Sequence, residues 1–311
     1  MAPGASAPGA HPTKKQVRTK MAFPNNGVVE APKVVPSAFG LLAVVKPENS
    51  ADEDRWIRGF SQEWETEVSN LVNFDDTDST VDVIGTRATP KRHNRVKPFF
   101  IEATEDISTL GFLGLDRIAR LTRQIEAGSQ KAIEQELWDG AIRKGETHDN
   151  LALSDATATI LGGGTAYSPK RALALLEQGI AEASQFGEQG IIHMTRDVAA
   201  LLSSNSQMLF HDKEKEHLQT LGGTPVVVGN GYSGTGPDSA TGATASATNK
   251  WIYATGTVRV YLGNVDVVND NLSQAYDVSG NANDMRLKAI RPAAVYFDTS
   301  IHLAVRVDLT A

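Results

Sequence analysis

Read for the spacing of apolar positions, the chain's clearest strand is its last. From Ser300 to Leu309, Ile301, Leu303, Val305, Val307 and Leu309 alternate with Ser300, His302, Ala304, Arg306 and Asp308, a period of two. Ala293–Phe297 predicts a second strand, joined to it through Asp298-Thr299. A period near 3.6 marks one long amphipathic helix from about Gly111 to Arg143, which would span roughly 50 Å. Ile118, Leu121, Ile125, Ala132 and Ile133 fall on one side of it, and Arg120, Arg123, Lys131 and Glu134 on the other. Such a length suits a strut or a long bundle helix; neither calls for catalysis. Ser168 and Pro169 then open a helix whose stripe is Leu173, Leu176, Ile180 and Ala183, running to about Gln185. Gly190–Met194 reads as a buried strand, and Thr195 caps a short helix through Val198, Leu201 and Leu202. Strands follow at Pro225–Val228, Trp251–Ala254 and Thr257–Val268, which together predict one α/β unit around a central sheet. Residues 56–107 predict β-structure, with strands at Trp64–Val72 and Val81–Thr86 and another beginning at Phe99-Phe100-Ile101. No internal repeat is visible.

Composition narrows the function classes. The 311 residues are 41% hydrophobic and 22% charged, ordinary for a globular protein with a real core. A net charge of −7 argues against a general nucleic-acid binder. There are no cysteines, which removes disulfides, thiolate metal sites and cysteine nucleophiles together. No apolar run reaches eighteen residues, and the first twenty lack the apolar core of a secretion signal, so a reducing cytoplasm is the expected compartment. Residues 1–55 carry prolines at 3, 8, 12, 24, 32, 36 and 47 and cannot form a long helix. Their basic cluster, Lys14, Lys15, Arg18 and Lys20, belongs either to a disordered tail or to an arm ordered only against neighbouring subunits or DNA. The stretch Val34–Val45 is apolar enough to lie along another surface. Within 60–98, Asp75, Asp76, Asp78 and Asp82 precede Arg87, Lys91, Arg92, Arg95 and Lys97. A hairpin pairing these halves, a solvated loop and a hairpin docked on a charged neighbour are all compatible with that pattern.

The motifs that suggest chemistry each lack a required part. Gly229-Asn-Gly-Tyr-Ser-Gly234 follows a strand as a dinucleotide loop would, but no helical stripe comes after it, so a surface loop is expected. Gly231–Thr235 lacks the final glycine of a nucleophile elbow around Ser233, and Gly162-Gly163-Gly164 has no lysine pair of a phosphate loop and reads as a connector. His211 and His217, near Glu214, are six apart and would point to different sides of a helix. His193, in an apolar strand, reads as a hydrogen-bonded core histidine. No acid–base carboxylate pair stands out, so no catalytic, cofactor or metal residue is assigned.

Ser108-Thr-Leu-Gly-Phe112 leading into the long helix, Lys131–Gly140 closing it, and Arg291-Pro-Ala-Ala-Val-Tyr-Phe297 with Ile301–Val305 resemble the major capsid proteins of tailed bacteriophages, those of actinobacterial phages most. The resemblance covers about Trp56 to the C-terminus and implies the α+β Hong Kong 97-type fold. Its parts would be an N-terminal arm (1–55), an extended β-hairpin loop (56–98), a peripheral domain with the spine helix (99–145), an axial domain (146–275) and C-terminal strands returning to the peripheral domain (276–311). It implies a non-enzymatic shell protein, without cofactor, forming pentamers and hexamers of an icosahedral head around double-stranded DNA. Arg87, Lys91, Arg92, Arg95, Lys97, Asp75, Asp76 and Asp78 would then be hairpin interface residues, and Lys14, Lys15, Arg18 and Lys20 a DNA-facing arm. A separate scaffolding protein is implied because 1–55 is too short and proline-rich for an internal one; portal and decoration proteins are further partners, and no membrane is involved. The head would assemble in the host cytoplasm. No residue match supports a lysine–asparagine crosslink at Lys91 or Lys97. An encapsulin-type cargo compartment is the alternative within the fold, and a nucleotide-binding enzyme using Gly229–Gly234 the distant one.

Overall fold

A computed structural model describes residues 37–50, 56, 59–64, 92–108, 117–140, 150–184, 189–206, 209–212, 217–269 and 284–310. All belong to one unit, Val34–Ala311. In chain order its elements are helix α1 (Leu41–Val44) and strands β1 (Glu48–Asn49), β2 (Phe60–Trp64), β3 (Arg92–Val96) and β4 (Phe99–Ser108). Helix α2 (Arg117–Asp139) comes next, then β5 (Thr159–Ile160), a 3-10 turn at Leu161–Gly164, β6 (Ala166–Tyr167) and helix α3 (Pro169–Ala183). After these come β7 (Ile191–Met194), helix α4 (Arg196–Ser206), β8 (Leu209–Asp212), β9 (His217–Thr220) and β10 (Pro225–Val228). The chain ends with β11 (Asn249–Thr255), β12 (Val258–Leu262), β13 (Asp266–Asn269), β14 (Asp284–Phe297) and β15 (His302–Asp308).

Two sheets organise these elements. The larger runs β5-β15-β11-β7-β10-β9-β8, with β6 also on β15; β7 and β10 are parallel, and β11 is antiparallel to both β7 and β15. One of its faces buries Ile192, Met194, Val226, Ile252, Val305 and Val307 under the apolar stripes of α3 and α4. The other buries Val227, Trp251, Tyr253 and Ala304 in the main core. The smaller sheet runs β1-β12-β14-β13, with β4 laid along β14 for ten residues from Phe99↔Ala293 to Ser108↔Asp284.

α2 links the two sheets because its stripe serves two cores. Leu121 and Ile125 pack on Leu287 and Ala289 of β14, whereas Ile133, Leu137 and Trp138 enter the main core with Leu41, Leu153, Trp251 and Tyr253. Three expectations about this helix change. It ends at Asp139, not near Arg143, because Gly140 adopts φ +61, the left-handed conformation that terminates helices, and its N–H reaches Glu136 O at 2.9 Å. Ile118 is 53% exposed, while Glu134, expected on the solvated side, is fully buried. The proposed first turn, 111–116, lies outside the described residues.

Strand pairing runs across the expected segments. β12 and β13, expected with the axial segment, pair with β14, and β15, expected to return to the peripheral segment, sits beside β11 in the larger sheet. The cause is a double crossing. β11 passes to β12 through Gly256-Thr257, β14 passes to β15 through Asp298–Ile301, and the two connections bond to each other: Asp298 N to Thr257 O at 2.9 Å and Gly256 N to Ile301 O at 3.0 Å. The expected single strand Thr257–Val268 is broken between Leu262 and Asp266. Opposite the break stands Pro292, which has no N–H to donate to the ladder.

Against the outer face of the smaller sheet lies an antiparallel stem, β2 with β3, in register from Phe60↔Val96 to Trp64↔Arg92. Phe60 stacks on Tyr261 at 4.4 Å, and Val96, Ala294, Tyr296 and Trp56 complete the patch. The expected strand segments 65–72 and 81–86 lie outside the described residues; the pairing begins earlier, at Phe60.

Candidate functional site

Two places carry the geometry on which a function can rest: the root of the β2–β3 stem and a buried polar junction on α2. At the root, the ladder pairs Trp64 with Arg92, and residues 65–91 lie outside the described residues. Of the sequence-predicted interface residues, Arg92 and Arg95 lie on β3, paired with Trp64 and Ser61. Lys97 follows the strand, and its backbone is fixed by Asn150: Lys97 N donates to Oδ1 at 2.9 Å, and Asn150 Nδ2 donates to Lys97 O at 2.8 Å. Asp75, Asp76, Asp78, Arg87 and Lys91, with Lys14, Lys15, Arg18 and Lys20, lie outside the described residues.

The polar junction was not anticipated. Glu134 turns inward, and each carboxylate oxygen takes two N–H donors. Oε1 accepts from Leu41 N at 2.9 Å and Gln130 Nε2 at 3.0 Å; Oε2 accepts from Asn230 N at 2.7 Å and Gly231 N at 2.9 Å. A buried carboxylate requires such saturation. The only sequence signal was the Gln130/Glu134 pair one turn apart beside an apolar stripe, which an exposed helix face displays equally well.

The same contacts correct the reading of Gly229–Gly234 as a surface loop. Gly229, Gly231, Tyr232 and Gly234 are buried. A Cβ on Gly231 would strike the carbonyl oxygen of Lys131 and lie 2.9 Å from Gln135 N, so the loop lies directly on the helix backbone. The two N–H groups that a phosphate would use are taken by Glu134. Ser233 and Thr235 donate to Asp139 Oδ1 at 3.0 and 2.5 Å, and Trp138 Nε1 donates to Thr235 O at 3.2 Å. The loop is therefore an internal fastening on the end of α2, which removes the nucleotide-binding reading.

Beneath Tyr232 sits His193, fully buried as a core histidine. Thr255 Oγ1 donates to Gly256 O at 3.0 Å, so it accepts from His193 Nε2–H at 2.9 Å; Nδ1 then accepts from Tyr232 Oη at 2.9 Å. Burial, with His302 nearby, lowers the His193 pKa to about 3, and burial with Glu134 pushes the Tyr232 hydroxyl well up, keeping it a donor. His211 and His217 stand on adjacent strands opposite Leu218 and Asp212, hence on opposite faces of the β8–β9 pair, and share no site.

The chain matches no protein-family model and no curated protein. Its structure is similar to that of the capsid of a native GTA particle, at 12% identity and a TM-score of 0.54, covering 94% of this chain and 99% of that one. The capsid of an empty GTA particle gives 12% and 0.52, covering 88% and 91%. A chain from Mycobacterium phage Adephagia gives 11% and 0.50, covering 96% and 98%. The shared architecture is the Hong Kong 97-type capsid fold.

Proposed function

We propose that this chain is a major capsid protein, a structural rather than catalytic subunit that assembles with copies of itself into pentamers and hexamers of an icosahedral phage head. The observation that carries the reading is end-to-end structural likeness to capsid subunits, together with α2 spanning two cores and the antiparallel β2–β3 stem. An extended hairpin carried on that stem would add contact area that a lone subunit cannot bury on itself. Rings of five and six follow from a head-to-tail contact that closes.

In this reading the smaller sheet with α2 is the peripheral domain, the larger sheet with α3 and α4 the axial domain, 56–98 the extended loop and 1–55 the arm. The loop residues Arg87, Lys91, Arg92, Arg95 and Lys97 would meet Asp75, Asp76 and Asp78 across or within subunits. Lys14, Lys15, Arg18 and Lys20 would touch packaged DNA without sequence preference. A separate scaffolding protein, a portal and decoration proteins are the further partners, and assembly would take place in the host cytoplasm.

Electron microscopy of the purified chain, beside light scattering, tests the reading. Closed shells, rings of five or six, or curved sheets are expected. A chain that remains monomeric at every concentration, with or without its neighbouring head proteins, would overturn it. The double variant Arg92→Glu/Arg95→Glu is expected to keep the wild-type circular dichroism while losing shells; normal shells from it would remove these two residues from the interface.

A further inference from the structure

Residues 37–45 form a strap across α2. Gln130 Nε2 donates to Ser37 O at 3.4 Å, Leu41 N donates to Glu134 Oε1, and Val228 N donates to Phe39 O at 2.8 Å. Phe39 packs with the core under α3 and α4 while Leu41 is fully buried in the main core, so the strap enters both. It crosses the helix at Gly40, where a Cβ would fall on the Gln130 amide and lie 2.6 Å from Glu134 Oε1. From the opposite side the Asn230-Gly231 turn meets the other oxygen of the same carboxylate.

We infer that Glu134 is a latch that couples the strap 37–45 to the turn 229–231, so that the two segments leave α2 together. The strap at Leu41 and the turn at Asn230-Gly231 take their charged contact with the helix from this one side chain, whereas the far end of the loop is held separately by Asp139 through Ser233 and Thr235. Lifting the strap removes Leu41 from above the carboxylate and admits water to Oε1. The carboxylate is then free to turn outward, and the Asn230 and Gly231 N–H groups lose their acceptor. Val228 N, bonded to the strap and one residue before the loop, transmits the same displacement along the backbone. The latch is also incompletely satisfied: Gln130 directs its N–H groups at Ser37 O and Glu134, leaving its own buried Oε1 without a protein partner among the described residues. Such an orphan lowers the cost of opening. Because the strap continues the chain from residues 1–36, a force on that segment would be felt at the far side of the helix. This inference does not depend on the shell reading and can be tested on the chain in any assembly state.

Hydrogen–deuterium exchange of the full chain decides it, read on peptides covering 37–45, 226–235 and, as a reference, 249–255. In Glu134→Gln the side chain keeps one acceptor and gains a donor, so it can serve only one side. Coupled release predicts that exchange in 37–45 and in 226–235 both accelerate about tenfold or more while 249–255 stays protected. Acceleration on one side alone means independent anchors and overturns the latch, as does no change. Loss of protection at 249–255 would mean global loosening and also overturns it. Gln130→Ala leaves the carboxylate in place and touches the strap side alone. It must still accelerate 226–235, and wild-type exchange there overturns the coupling.

Discussion

Glu134 and His193 are both polar side chains sealed in the interior, and they differ in how their burial could be foreseen. His193 lies in a strand, Ile191-Ile192-His193-Met194, whose neighbours are all apolar, so a core position follows from sequence. Glu134 sits beside an apolar stripe on a helix where a charged residue ordinarily meets water. Its partners Leu41, Asn230 and Gly231 stand 93, 96 and 97 residues away, and no local pattern reveals them. His193 yields a pH prediction. Its pKa falls from 6.5 to about 3 on folding, so between these values the unfolded chain binds the extra proton. The contribution of the neutral imidazole is therefore complete above pH 6.5 and is lost as pH falls toward 3, by up to ~1.4 kcal/mol per pH unit. His302, also lowered by burial, acts with the same sign. Urea unfolding of the chain at pH 7 and pH 5 should differ by about 2 kcal/mol of stability from His193 alone. His193→Gln should lose most of that difference; an unchanged slope would assign it to other groups.

Elements were legible where one periodicity ran without interruption. Helix α3 and strands β7, β10 and β15 fall close to their expected spans, since each buries a simple stripe or run. The long helix was legible as a helix but not as a bridge, because its one apolar stripe faces two cores. The break between β12 and β13 was hidden because its cause, Pro292, lies on the partner strand β14. Two glycines now separate space from propensity. Gly128 is exposed in the middle of α2 with nothing within 4 Å of where a Cβ would stand. Gly128→Ala should therefore stabilise the chain by ~0.5–1 kcal/mol, the ordinary helix-propensity gain. Gly231→Ala meets immovable backbone of the same helix and should cost about 2–4 kcal/mol, since either the loop or the helix must shift. Thermal melts of the two variants are expected to move in opposite directions. A neutral Gly231→Ala would mean that the loop does not sit against the helix.

At the scale of the whole chain, the two sheets are not successive domains. The chain enters the smaller sheet at β1 and β4, crosses on α2, builds the larger sheet, returns at β12–β14, and ends in the larger one with β15. Both final connections pass through one bonded crossing, and both sheets share the core around Trp138, Trp251 and Val260. Neither sheet can therefore lose its strands without opening the other, which requires a single unfolding transition. Tryptophan fluorescence and far-ultraviolet circular dichroism should give coincident denaturation curves, whereas two separated transitions would contradict the shared core. Asp298 offers a finer test of the crossing. It is buried there, its N–H donates to Thr257 O, and its Oδ1 accepts from Ser300 N at 3.0 Å. Asp298→Ala removes the side-chain bond and should lower stability by ~1 kcal/mol. If the crossing joins both sheets, both probes shift by the same amount and the transition stays single. A variant in which fluorescence and circular dichroism part company would locate the junction elsewhere, on α2 alone.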